Sequence, residues 1–508
     1  MKKNWKTYIL TIAKFLLSKN LSTKIYTEVE RMSNGNDNLA MQRIAGLVDE
    51  NSFMEIGSLV TARSTDFDLS STDTPSDGVV IGHGLIDGNL VFVYSQDAGV
   101  LGGTIGEMHA KKIAGLYDMA VKMGAPIIGL IDCAGMRLQE SVDALEAVGT
   151  LYAKQVAASG VVPQITAVFG TCGGGMAVVS ALSDFTFAEA DKAKIFVNSP
   201  NAIPGNNANK CDTASAAFQS EEAGTVDGVG TADEIFAQIR ELVAMLPGNN
   251  AQAGVVDDCG DDLNRACASL DVMKGDPRYV LSEISDGHVF VETKAAYAKE
   301  MVTGFIKLNG MTIGAVANAT ELYVDGEKAE DFEASLTTRG CNKAADFIAF
   351  CDAFEIPVVS FTNATGFKAC MCSEKNLAKA LARLTYAFAN ATVPKVNVIA
   401  DKAYGSAYAV MNSKALGADL VYAWPDAKVG MMDANLAAKI MYADASADVI
   451  AEKAKEYDAL QGDVKTAARR GYVDRIVDYA DTRKYLVAAF EMLFTKNVEQ
   501  PYKKHGAK

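Results

Sequence analysis

Much of this sequence occurs twice. KIAGLYDMAVKMGAPIIGLID (112–132) shares its pattern with KAADFIAFCDAFEIPVVSFTN (343–363), and VVPQITAVFGTCGGGMAVVS (161–180) with TVPKVNVIADKAYGSAYAVM (392–411). Pro126 stands opposite Pro357 and Pro163 opposite Pro394, each 231 residues further on. SDFTFA (183–188) then meets ADLVYA (418–423) at 235. In the first copy Ile113, Leu116, Tyr117, Ala120 and Val121 recur at helical spacing. The continuous apolar runs after Pro126 and Pro163, like LVFVYS (90–95), read as strands buried on both faces. An α/β unit used twice gives two related domains of about 230 residues each, a normal domain size. The join is expected near VMKGDPRYV (272–280), after the Gly/Asn/Asp-rich LPGNNAQAGVVDDCGDDLNRACASL (246–270). The expected units are a helical extension over 1–32, a first domain over 33–275 and a second over 276–508.

The 508 residues carry a net charge of −15, which disfavours nucleic acid as a partner. The nine cysteines are scattered with no C-x-x-C pair, which argues against a zinc ribbon and suits a reducing cytosol. The N-terminal MKKNWKTYILTIAKFLLSKN has a short apolar stretch interrupted by Lys14 and no cleavage signal, so an amphipathic cap or docking helix is expected rather than export. The four histidines (83, 109, 288, 505) never show H-x-x-x-H spacing, and no metal site is expected.

Glycine is what the chain places after its strands. In AVFGTCGGGMAVVSAL (167–182), Gly170 and Gly175 have P-loop spacing, but Met176 and Ala177 follow where Lys and Ser/Thr are needed. Ser180 and Cys172 lie close by, yet no G-x-S-x-G elbow exists. What remains is the backbone, since peptide N–H groups at a strand-to-helix turn can stabilise a developing oxyanion. Each copy has two such turns: DCAGMR (132–137) and CGGG (172–175), then NATGF (363–367) and YGSA (404–407). The plainer reading is that these glycines only make tight turns.

Longer stretches narrow the choice. RIAGLVDENSFMEIG (43–57), DGVVIGHGLIDGNLVFVYSQDAGVLGGTIGEMHAKKI (77–113), DCAGMRLQE (132–140) and YAFANATVPKVNVIADKAYG (386–405) resemble the carboxyltransferase subunits of biotin-dependent acyl-CoA carboxylases and decarboxylases. The propionyl-CoA carboxylase β chain and the methylmalonyl-CoA and glutaconyl-CoA decarboxylase α chains have the most similar patterns. The resemblance implies two tandem crotonase-type β-β-α spiral domains, acyl-CoA on the first and biotin on the second. Biotin would arrive on a separate carrier protein, since no Ala/Val-Met-Lys-Met attachment sequence is present.

The resemblance also implies site residues. Gly174 and Gly175 would stabilise the thioester oxygen, with Ala134, Gly135, Met136, Arg137 and Gly173 around the acyl-CoA. Ser406 and Ala407 would stabilise the biotin oxygen, with Gly366, Phe367, Gly405 and Ala409 around the ring. Biotin's own nitrogen would take the substrate proton. Arg137 and Glu140 match charged positions of the family, where a structural ion pair is the favoured reading over direct chemistry. Implied partners are the biotinylated carrier and either a biotin carboxylase subunit or a membrane decarboxylase β subunit. The chain itself would form a cytoplasmic homo-oligomer, a dimer or a hexamer built from dimers.

The pattern departs from the family in three places. Gly405-Ser406-Ala407-Tyr408-Ala409 replaces Gly-Gly-Ala-Tyr-Asp, and NATGFKACMCSEKNLAKALARL (363–384) keeps only Gly366-Phe367 of the usual Pro-Gly-Phe-Leu-Pro-Gly segment. AFQSEEAGTVDGVG (217–230) replaces a Leu-Gly-Gly-Ala stretch. These changes keep two other readings open: a non-catalytic scaffold that docks a biotin carrier, and a CoA-thioester hydrolase that works without biotin.

Overall fold

The computed structural model describes residues 38–63, 66–252 and 256–499, with residues 501 and 506. The expected helical extension over 1–32 lies outside them. The chain builds two mixed sheets of the same plan, each a path of seven strands with an eighth paired off it. In the first, the hairpin Val79–Ile86/Asn89–Gln96 is antiparallel, and Ile127–Cys133, Gln164–Gly173 and Phe185–Glu189 follow in parallel. In the second, Met301–Leu308/Met311–Asn318 is the hairpin, followed by Val358–Ala364, Lys395–Tyr404 and Leu420–Ala423. Simple βαβ alternation therefore begins only after an antiparallel pair in each half, as a β-β-α spiral requires.

The repeat extends to individual hydrogen bonds. The helix Glu107–Met123, closed by left-handed Gly124, is answered by Thr338–Ala353. Lys112, buried in the first, donates through Nζ to Ser76 O (2.9 Å) and to Val79 O. Lys343, 231 residues later, donates to Lys294 O and Tyr297 O, both at 2.9 Å. At the edge of each central strand an aspartate exchanges bonds with the strand's first residue. Gln164 N–H donates to Asp184 Oδ2 and Asp184 N–H to Gln164 O, both at 2.8 Å. Lys395 and Asp419 do the same at the same distances, now at the 235 offset. The irregularity before Cys133↔Cys172 recurs before Ala364↔Ala403.

The halves are not independent bodies. One apolar core runs through both, with Val93, Phe169, Phe185 and Ile239 from the first and Phe305, Phe347, Ile348 and Phe388 from the second. Phe185 meets Phe350 edge-on at 4.9 Å. Lys294 Nζ crosses the seam to Gly224 O (2.6 Å), and Arg339 pairs with Glu222 at 2.8 Å. Asp257 N–H donates to Gly310 O, and Cys267 and Leu270 pack into the second core. Contacts with the second half are thus already made at Asp257. Among the described residues no helix is long and apolar enough to cross a membrane.

Candidate functional site

The strand Gln164–Gly173 ends in the glycine run, and the helix Gly175–Ala181 begins directly after it. Gly174 makes the junction at φ 58° and ψ −121°, a conformation that only glycine adopts without strain. Its N–H donates to Phe196 O at 2.9 Å. That bond engages the Gly174 N–H within the fold. Gly174 provides the turn, and the first N–H groups of the helix, which have no acceptor within it, begin at Gly175. Tyr152 donates its hydroxyl to Gly175 O at 2.8 Å and so fixes the peptide plane.

The second half makes the same junction. Gly405 has φ 57° and begins the helix Gly405–Val410. The offset of 231 superposes Gly174 on Gly405, Gly175 on Ser406 and Met176 on Ala407. The partner of Ser406–Ala407 is therefore Gly175–Met176. Gly405, Ser406 and Ala409 line a cavity of about 800 Å³ walled by Met431, Met441 and Leu460. Part of its wall comes from Ala434–Met441, Ala447–Tyr457 and Asp458–Gly462, where the first half has only the short Pro200–Ala202, Ala216–Phe218 and Gln219–Ala223. The Ala407 side chain is buried beside it. Gly366 and Phe367 lie outside the cavity wall, on a two-residue strand paired with Ser335–Leu336 that adjoins the same helix.

In the first half the neighbouring turn closes on the glycines. Gly135–Met136 pairs in parallel with Thr104–Ile105. A Cβ on Gly173 would lie 3.3 Å from Ala134 O, and one on Gly175 would lie 2.8 Å from Met136 Cε. Ala134, Gly135, Met136, Gly173 and Gly175 are thus one contiguous surface. Arg137 differs from the expectation that it contacts substrate. Its guanidinium is wholly buried, donating to Asp77 Oδ1 (2.6 Å), Glu140 Oε1 (2.7 Å) and Thr104 O (2.9 Å). It presents no surface to a ligand, and the ion-pair reading of Arg137 and Glu140 is the one its geometry matches.

No side chain here is set up as base or nucleophile. His109 is buried, its Nδ1–H donating to Asp77 O (2.9 Å) and its Nε2 accepting from Gln96 Nε2 (3.0 Å). This tautomer follows because Gln96 Oε1 already accepts the Asp132 N–H. Burial first, then the Arg137 and Lys112 charges, hold His109 neutral with a pKa of about 3. Burial pushes the Cys133 thiol up to about 11 and the Cys172 thiol higher still, so both stay protonated. Ser180 is buried against Thr186. Among the described residues no group of His, Cys, Asp and Glu could hold a metal ion.

Sequence reading missed Asp77, Tyr152 and the helices over 434–462, and the helical position of His109 suggests a surface or capping role where the structure buries the ring completely. Tyr152 sits at an ordinary helical position and carries no motif.

Residues 31–507 match the family model of the carboxyl transferase domain. The propionyl-CoA carboxylase beta chain of Roseobacter denitrificans is 38% identical over 480 residues, covering 92% of each chain. The methylmalonyl-CoA decarboxylase subunit alpha of Propionigenium modestum is 36% identical over 485 residues, again covering 92% of each. The crystal structure of transcarboxylase 12S, a hexamer assembly with hydrolysed methylmalonyl-coenzyme A bound, superposes with a TM-score of 0.86 at 34% identity, covering 94% of this chain and 93% of that one.

Proposed function

Because this chain belongs to the carboxyl transferase domain family, and is an acyl-CoA carboxyltransferase, we propose that its first half binds the acyl-CoA and its second half binds biotin borne by a separate carrier protein. One observation carries the assignment: two equivalent positive-φ glycine junctions, each opening a helix, with His109, Cys133 and Cys172 beside the first held neutral. Gly175, with Met176 next in the turn, donates N–H groups to the thioester oxygen as it gains enolate charge. Such a donor is worth about 10²–10³ in rate. Ala134, Gly135, Met136 and Gly173 form the wall beside it. Gly174 and Gly405 serve as hinges of the turns.

The second-half cavity fits a bicyclic urea on an aliphatic chain. Its volume is about 800 Å³, Met431, Met441 and Leu460 offer apolar walls, and Ser406 stands at the start of the helix. Ser406 and Ala407 N–H groups would hold the urea oxygen, with Gly366 and Phe367 on the adjoining strand. When bound, biotin supplies the nitrogen that carries the carboxyl group and handles the substrate proton, which leaves the chain's residues to orient and to stabilise charge. Ala409 places a methyl on this cavity where the family pattern has an aspartate, and the panel of thioesters below reads which acyl group is taken.

Exposed Leu138 and Val142 beside the first site, and Leu436, Ile440 and Met441 beside the second, support a homo-oligomer. The further partners are the biotinylated carrier and either a biotin carboxylase or a membrane decarboxylase β subunit. The test is decarboxylation of malonyl-, methylmalonyl- and glutaconyl-CoA by the purified chain with free biotin and with a biotinylated carrier. We expect turnover that requires biotin. Release of free CoA thiol without biotin supports a hydrolase, and no decarboxylation with either form of biotin leaves the scaffold.

A further inference from the structure

The duplication isolates one residue, Arg137, whose role rests on acyl-CoA binding to the first half. Arg137 stands opposite Lys368 at the 231 offset. The two backbones act alike: Arg137 N–H donates to Ile105 O and Lys368 N–H to Leu336 O, both at 2.9 Å. The side chains do not. Arg137 turns inward, and its fork joins Asp77, Glu140 and Thr104, which come from three separate segments. The carboxylates it meets are held from behind by the peptide N–H of His109 on Asp77 (2.8 Å) and that of Glu107 on Glu140. Lys368 turns outward to an exposed Glu333 at 2.8 Å, and Met371 stands where Glu140 would be. In place of a packed ion cluster the second half has an open cavity of about 520 Å³, lined by Thr337, Thr338, Arg339, Lys368 and Cys370. Gly106 confirms how tightly the first cluster is built: a Cβ there would lie 2.3 Å from Arg137 Nη1.

We propose that Arg137 is a positioning residue for the acyl-CoA side alone, clamping the 134–136 turn against Gly173 and Gly175 so that the oxyanion donors are preset before substrate binds. A planar fork is required, because an ammonium cannot span two carboxylates and a carbonyl in one plane. The biotin-side turn keeps the fold of this segment without the clamp.

The test compares Arg137→Lys and Glu140→Gln with the wild type in the assembled full-length enzyme. It uses whichever acyl-CoA the wild type turns over, and it measures free-biotin binding separately. For Arg137→Lys we expect kcat to fall about 100-fold, the effect of an ångström-scale misplacement. The KM for acyl-CoA should stay within about threefold, and biotin binding and oligomer size should not change. Glu140→Gln should lose about tenfold in kcat with the same split. A kcat equal to wild type in both variants, or parallel loss of acyl-CoA and biotin binding, overturns the proposal. If Arg137→Lys does not fold, the kcat/KM split of Glu140→Gln decides. A wild type that turns over no thioester refutes the functional reading instead.

Discussion

His109 stores an acid sensitivity in the first half. The folded protein keeps its ring neutral down to about pH 3, whereas an unfolded histidine takes up a proton near pH 6.5. Below that pH the unfolded state binds a proton that the folded state refuses, so stability is retained above about 6.5 and is lost progressively on acidification. Between pH 7 and pH 5 this one group removes about 2 kcal/mol. His109→Gln, which cannot titrate, should flatten that part of the slope of thermal stability against pH. An unchanged slope would contradict the assignment. The same ring shows the limit of reading residues singly: by spacing it was one more position on the helix Glu107–Met123, and its partners Asp77 and Gln96, 32 and 13 residues upstream, share the 77–113 stretch with it at no spacing that pairs them. Arg137 was visible as a charged position beside a glycine turn, but its burial was not, because Asp77, Thr104 and Glu140 converge only in three dimensions.

At the scale of elements, strands and helices could be read from the chain wherever it repeats. Prolines before apolar runs mark strand starts locally, and Ile127–Cys133 and Gln164–Gly173 begin where the sequence places them. The register of the two glycine junctions was already in the 231 offset, which sets Gly174 opposite Gly405, and the two residues share the same positive φ. The helices Ala434–Met441 and Ala447–Tyr457 fall in an interval that is longer in the second half than in the first, so the offset says little of them, yet they supply part of the second cavity's wall. Leu460 is exposed on that wall, so substitution there should spare the fold. Leu460→Asp is expected to weaken biotin binding about tenfold or more by setting a charge against apolar ligand surface, while acyl-CoA affinity stays as in wild type. Calorimetric titration with each ligand checks the pair of outcomes.

For the whole molecule, the duplicated halves share a core that neither completes alone. Phe185 from the first half is packed by Phe305 and Phe350 from the second. We therefore expect one cooperative calorimetric transition rather than two, and Phe305→Ala, at a fully buried ring, should lower stability by about 3–5 kcal/mol while loosening both halves together. Two separable transitions in the wild type would contradict this. The seam also bears on what the peptide connection is for. Lys294 to Gly224, Arg339 to Glu222 and the phenylalanine cluster all tie the halves without using the stretch around Asn249 and Asn250. Covalent continuity there contributes proximity during folding and little to cohesion afterwards. A molecule nicked in that stretch keeps its halves docked, and the same architecture could be encoded as two polypeptides that meet only after synthesis.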